Sequence, residues 1–203
     1  MEKSEFLKKR ITFIGITLVV IVGLILGFVS FGEDGSTKAF EKFIKNFKDR
    51  KFEESFKYVA ESENKNLLGS YIQNDITNLS EEISNKIFEF TYNVVETVEE
   101  GNNSKIRVKF NYYNLMDGYQ SALDEFLTRA LDFENLDNLY NKENIDNILI
   151  THIKKLKLEE KELEIDLIKD KDWKIILDEE FLEILTGNSI KLITILKENS
   201  IEK

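Results

Sequence analysis

Apolar positions change period repeatedly along this chain, and each change predicts a different kind of element. Residues 11–31, ITFIGITLVVIVGLILGFVSF, carry no charge. At the helical rise such a run spans about 30 Å, the thickness of bilayer hydrocarbon, which predicts a transmembrane helix. From Ala39 the period is 3.6. Ala39, Phe40, Phe43, Ile44 and Phe47 follow the cap residues Ser36 and Thr37 and predict an amphipathic helix. Phe52, Phe56, Val59 and Ala60 predict a second helix, folded back on the first by a turn at Asp49-Arg50-Lys51. Leu68, Ile72, Ile76, Leu79 and Ile83 predict one or two short helices.

The period then drops to 2. Phe88, Phe90, Tyr92 and Val94 alternate with polar residues, a turn follows at 99–103, and Ile106, Val108, Phe110 and Tyr112 alternate again, predicting an antiparallel hairpin. Two more helices are expected from Tyr119, Leu123, Phe126, Leu127 and Leu131, and from Ile145, Leu149, Ile153 and Leu156. A second hairpin is expected from Leu163, Ile165 and Leu167, a turn at Lys169-Asp170-Lys171-Asp172, and then Trp173, Ile175 and Leu177. Strand pairs joined by turns too short for a crossover indicate α+β, with helices covering the one apolar face of a curved four-stranded antiparallel sheet. The expected organisation is a basic cytoplasmic tail at 1–10, a transmembrane helix or signal anchor at 11–31, a linker at 32–35, the folded domain at 36–187 and a helical tail at 188–203.

Charge sets the expected orientation. Lys3, Lys8, Lys9 and Arg10 precede the apolar run and Glu33 and Asp34 follow it, so the N-terminus is expected in the cytoplasm and the domain outside the cell membrane. A cleaved signal peptide, with Ser30 and Gly32 at the cleavage site, is the rival expectation and exports the domain equally. Gly23 and Gly27 form a GxxxG pair that would let two such helices approach, though glycine is common in membrane helices generally. The 203 residues hold 28 Lys+Arg against 38 Asp+Glu, a net charge of -10, which argues against nucleic acid as a partner. With no Cys there is no disulfide, thiolate metal site or Cys nucleophile.

Two local signatures then suggest a family. The run Asp172-Trp173-Lys174-Ile175-Ile176-Leu177-Asp178, followed by Phe181-Leu182-Glu183-Ile184-Leu185-Thr186-Gly187, is similar to the final strand and short helix of the membrane-anchored, extracytoplasmic nuclear transport factor 2-like (cystatin-like cone) domains of Gram-positive bacteria. The stretch from Ala39-Phe40 to Tyr58-Val59-Ala60 resembles their opening helix pair. The resemblance covers residues 36–187 and implies a cone-shaped fold. Many of those relatives are lipoproteins with an N-terminal Cys, which this chain lacks. The family's fold serves enzymes, ligand binders and interaction modules alike, so function has to be argued from a site.

Candidate chemistry is sparse. His152 is the single imidazole, placed beside the apolar stripe of its helix; next to a carboxylate it would serve as a general base, and otherwise it is a boundary residue. Enzymes of the cone fold need acids or imidazoles on the inward strand phase, where this chain places Phe, Ile, Leu, Val, Trp and Tyr. Tyr92, Tyr112, Trp173 and His152 are therefore the candidates for lining a ligand pocket, with no catalytic residue, metal ligand or cofactor expected. Acidic pairs such as Glu99-Glu100 and Glu159-Glu160 lack the spacing of a calcium loop. The expected function is a membrane-anchored, non-catalytic binding domain for an envelope protein or a small apolar ligand. The alternative is a small-molecule binder or a ketosteroid-isomerase-like enzyme using the cone interior. A homodimer through the outer sheet face, where Arg107, Lys109, Glu162 and Glu164 are expected, is a further reading. The tail beyond Asn188 is expected to pack on that face or to offer Ile190, Ile193, Leu196 and Ile201 to a partner.

Overall fold

The computed structural model describes residues 35–74, 76, 79–131 and 142–191. In chain order these form α1 (Ser36–Lys48), α2 (Phe52–Phe56), α3 (Glu63–Asn74), α4 (Glu81–Phe88), β1 (Thr91–Glu100), β2 (Asn103–Tyr113), α5 (Leu115–Ala130), α6 (Lys142–Lys155), β3 (Leu158–Lys169), β4 (Trp173–Ile175) and α7 (Glu179–Thr186). The sheet is antiparallel throughout, in the order β1-β2-β3-β4.

The expected architecture of a membrane helix followed by a cone is corrected here. Among the described residues no helix is long and apolar enough to cross a membrane. The longest, α5, has 16 residues, about 24 Å at the helical rise, and carries Asp117, Asp124, Glu125 and Arg129. The predicted span at 11–31, with the tail before it, lies outside the described residues. So does the C-terminal stretch after Lys191, including Ile193, Leu196 and Ile201. What stands is an α+β domain built on one four-stranded sheet.

Local chemistry explains where the elements begin and end. The α1 stripe buries Phe40, Phe43, Ile44 and Phe47 completely. Its first residue is tied to the sheet: Ser36 donates from its amide and its hydroxyl to Glu99 Oε1 at 2.7 and 2.5 Å, and its Oγ lies 2.7 Å from Ser104 Oγ. Arg50, at φ 59, makes the reversal into α2. Asp178 accepts from the Phe181 amide to start α7, and Gly187, at φ 56, ends it.

The inner face of the sheet is filled by aromatic rings. Phe110 of β2 lies 5.7 Å from Phe181 of α7 and 6.4 Å from Phe40 of α1, and Phe40 lies 5.6 Å from Tyr92 of β1. Side chains of this size contribute roughly 1.5–3 kcal/mol each when fully buried. Ile106, Val108, Leu163, Ile165 and Leu167 complete that face. The opposite face is a ladder of charges. Arg107 reaches Glu96 at 2.6 Å and Glu162 at 3.5 Å, Lys109 reaches Glu160 and Glu162 at 3.7 Å each, and Lys105 pairs with Glu164 and Asp166.

Two expectations shift. Phe88 closes α4 instead of opening a strand: Ser80 caps that helix, and Ile83, Ile87 and Phe88 share one buried side. β4 stops at Ile175, short of Leu177. Its edge is taken by the chain after α2, where Ile175 N donates to Tyr58 O at 2.7 Å and Ala60 N to Ile175 O at 2.8 Å. The two hairpins form one four-stranded sheet, as expected, with β2 and β3 paired from Asn103↔Ile168 to Tyr113↔Leu158.

Candidate functional site

The four residues expected to line a pocket do not converge. Tyr92 and Tyr112 lie toward the Tyr113 end of β2, since Tyr92 pairs with Phe110 and Tyr112 with Glu159. Trp173 pairs with Lys169, just past the Asn103 end. About ten strand residues separate those ends, roughly 30 Å. Tyr112 and Trp173 are 6% and 5% exposed, and both belong to the core. Burial holds the phenols of Tyr92 and Tyr112 above their ordinary range, with nearby carboxylates acting in the same direction.

His152 stands apart on α6, and its partner comes from α5. The Nε2 atom is 2.6 Å from Glu125 Oε2, and the His152 side chain is mostly covered. The bond to His152 holds the Glu125 carboxyl below its usual value, helped by the Arg129 guanidinium that pairs with it one turn on. An imidazole beside a carboxylate is two thirds of a general-base relay. Among the described hydrogen bonds, however, none joins His152 to a hydroxyl nucleophile, and the pair lies on the α5–α6 hairpin, outside the space between sheet and helices. Its evident work is to pin two helices together.

Two concave surfaces stand out, at opposite ends of the sheet. The first is a groove along the α5–α6 hairpin, about 340 Å3, lined by Tyr119, Ala122, Leu123, Phe126, Ile145, Ile148 and Leu149. The helices approach closely where α5 carries Gly118, because a Cβ there would lie 2.5 Å from Ile153 Cδ1. Burial raises the Tyr119 phenol above its ordinary value. Beyond the groove the same side of α5 continues through Leu127 and Leu131; Leu123, Leu127 and Leu131 are 56%, 53% and 75% exposed.

The second is a cavity of about 480 Å3 at the Asn103 end, bounded by α1, the segment after α2 and the β3–β4 hairpin. Lys38, Lys42, Lys57, Lys169, Lys171 and Lys174 line it, over Ala39, Tyr58 and Trp173. Spacing along the chain could not reveal this grouping, because the lysines come from three separated segments. The apolar groove had a readable signal in the i, i+4 row of leucines, which the sequence assigns to an ordinary buried helix face.

Among the described residues no group of three His, Asp or Glu side chains could hold a metal ion. No family model, curated protein or solved structure matches this chain, and nothing in those comparisons identifies a nuclear transport factor 2-like domain.

Proposed function

We propose that this protein is a non-catalytic interaction domain that receives the apolar face of a partner protein's helix along the α5–α6 hairpin. The observation that carries the reading is the apolar row at Leu123, Leu127 and Leu131, continuous with the groove and open to solvent. Leucines four residues apart stack along one helix side, and eight residues cover about 12 Å, longer than a small ligand needs and suited to a second helix laid in the groove. Exposed apolar side chains grouped in this way gain free energy when a partner covers them. The sheet interior is a weaker place for a ligand, since Phe40, Phe110 and Phe181 occupy it. Binding through the groove does not depend on how residues 1–34 are held.

A photo-crosslinking residue at position 127 of the full-length chain, activated in the native cell, should form one dominant protein adduct. Adding Leu123→Asp should abolish it, while a crosslinker at Lys109 on the charged face should not produce it. Because Leu123 and Leu127 are exposed, their replacement by Asp should leave unfolding free energy within about 0.5 kcal/mol of the parent. No adduct at 127, or one that survives Leu123→Asp, would overturn the reading.

A further inference from the structure

We propose that the lysine-rimmed cavity at the Asn103 end of the sheet binds a compact anion carrying more than one phosphate group. Six lysines face this concavity, with Asp172 the single acidic side chain among its described lining residues, in a chain whose net charge is -10. On the outer face of the sheet and near α7, by contrast, Lys105, Arg107, Lys109 and Lys161 each stand opposite carboxylates, the last toward Glu180 and Glu183. Two of the cavity's lysines are engaged locally: Lys57 pairs with Glu54 at 2.7 Å, and Lys174 donates to the Lys57 carbonyl. Lys38 and Lys42 on α1, and Lys169 and Lys171 on the β3–β4 hairpin, have no carboxylate at ion-pair distance among the described residues.

Ammonium groups gathered on facing walls with few counter-charges repel one another, and a multivalent anion between them removes that cost. Lysine meets phosphate as a mobile point charge with three donors, so several lysines can adapt to several phosphates without the fixed geometry of a guanidinium. The site is also held rigidly. Backbone bonds between Tyr58, Ala60 and Ile175 lock the Lys57 segment to the hairpin, and Trp173 is packed into the core beneath it, with the Lys169 ammonium 5.5 Å from its ring. The acidic remainder of the surface disfavours long polyanions, which restricts the ligand to something that fits the cavity.

Isothermal titration of the full-length chain with inorganic tripolyphosphate, and flotation with phosphatidylglycerol or phosphatidylcholine vesicles, tests this. The Lys38→Gln/Lys171→Gln pair and, separately, Lys42→Gln/Lys169→Gln should each weaken binding by about tenfold or more, since hydrogen bonds to charged groups are strong enough for that loss. Lys105→Gln/Lys109→Gln on the outer face should leave it unchanged. Binding of tripolyphosphate that depends on the cavity lysines supports the proposal with a soluble ligand. Binding confined to phosphatidylglycerol vesicles, whose headgroups carry one phosphate each, would overturn it, because the cavity would then take a monovalent headgroup and not a multivalent anion. Absence of lysine-dependent binding in both arms, or equal weakening by the outer-face pair, would overturn it. These lysines are exposed side chains except for the half-buried Lys174, which is left intact, and circular dichroism with Trp173 fluorescence verifies that each variant is folded.

Discussion

Glu159 sits where burial, and then the charge of Asp117, oppose its ionisation, so its carboxyl titrates above the ordinary value of 4.5. A folded-state pKa above the unfolded one means that the folded protein binds the proton more tightly. Stability from this group is therefore complete below 4.5 and is lost as pH rises through the folded value. Glu159→Gln should raise stability at pH 7 by less than about 1 kcal/mol, the site being only partly shielded from water. Urea unfolding at pH 7 and again below the ordinary glutamate pKa checks the sign: the gain should vanish in acid. At this scale the sequence read some residues well and others not at all. The inward phase of Tyr112, Ile165, Leu167, Trp173 and Ile175 follows from strict alternation, and all are buried. The partner of His152 was not legible, because Glu125 is 27 residues away on another helix and no local spacing marks it.

At the scale of elements, the end of α7 joins two parts of the fold. Gly187 adopts φ 56, its carbonyl accepts from the Leu115 amide that opens α5, and a Cβ there would lie 2.8 Å from the Tyr113 carbonyl. Gly187→Ala should cost about 1–3 kcal/mol, combining left-handed backbone strain with that clash. Chemical denaturation of the full-length variant measures it. Helix periodicity predicted α1, α5 and α6 within a few residues, although the α5 row of Leu123, Leu127 and Leu131 is exposed, and α7 was expected only from the resemblance. The boundary between α4 and β1 was harder, because Phe88 satisfies the 3.6 period with Ile83 and Ile87 and the 2 period with Phe90 and Tyr92. The β2–β3 pairing had a readable signal: Lys105, Arg107 and Lys109 alternate on one strand as Glu162, Glu164 and Asp166 do on the other, and opposite charges across a ladder favour that register.

Across the whole molecule, Phe181 connects the layers, lying 6.1 Å from Phe40, 5.8 Å from Phe43 and 5.7 Å from Phe110. Removing it should open a cavity shared by helices and sheet. Phe181→Ala is expected to cost about 3–5 kcal/mol. The far-UV signal and the fluorescence of Trp173 should fall at one common denaturant midpoint, as a single cooperative unit requires. The α+β class was legible because the period changes along the chain are abrupt. Both candidate binding surfaces were not: one lies on a helix face that periodicity assigns to a core, and the other assembles lysines that the chain keeps more than a hundred residues apart, from Lys38 to Lys174.

The register of β1 against β2 slips between Val94 and Glu96. Among the described residues this strand forms the unpaired margin of the sheet, whereas the opposite margin is closed by the backbone around Val59. An unpaired strand is a template on which further chains can polymerise, and a local kink flanked by acidic side chains such as Glu96, Glu99 and Glu100 spoils the straight, neutral ladder that a fibril needs. The irregularity thus guards the protein against self-templated growth along the border that the described residues leave unpaired.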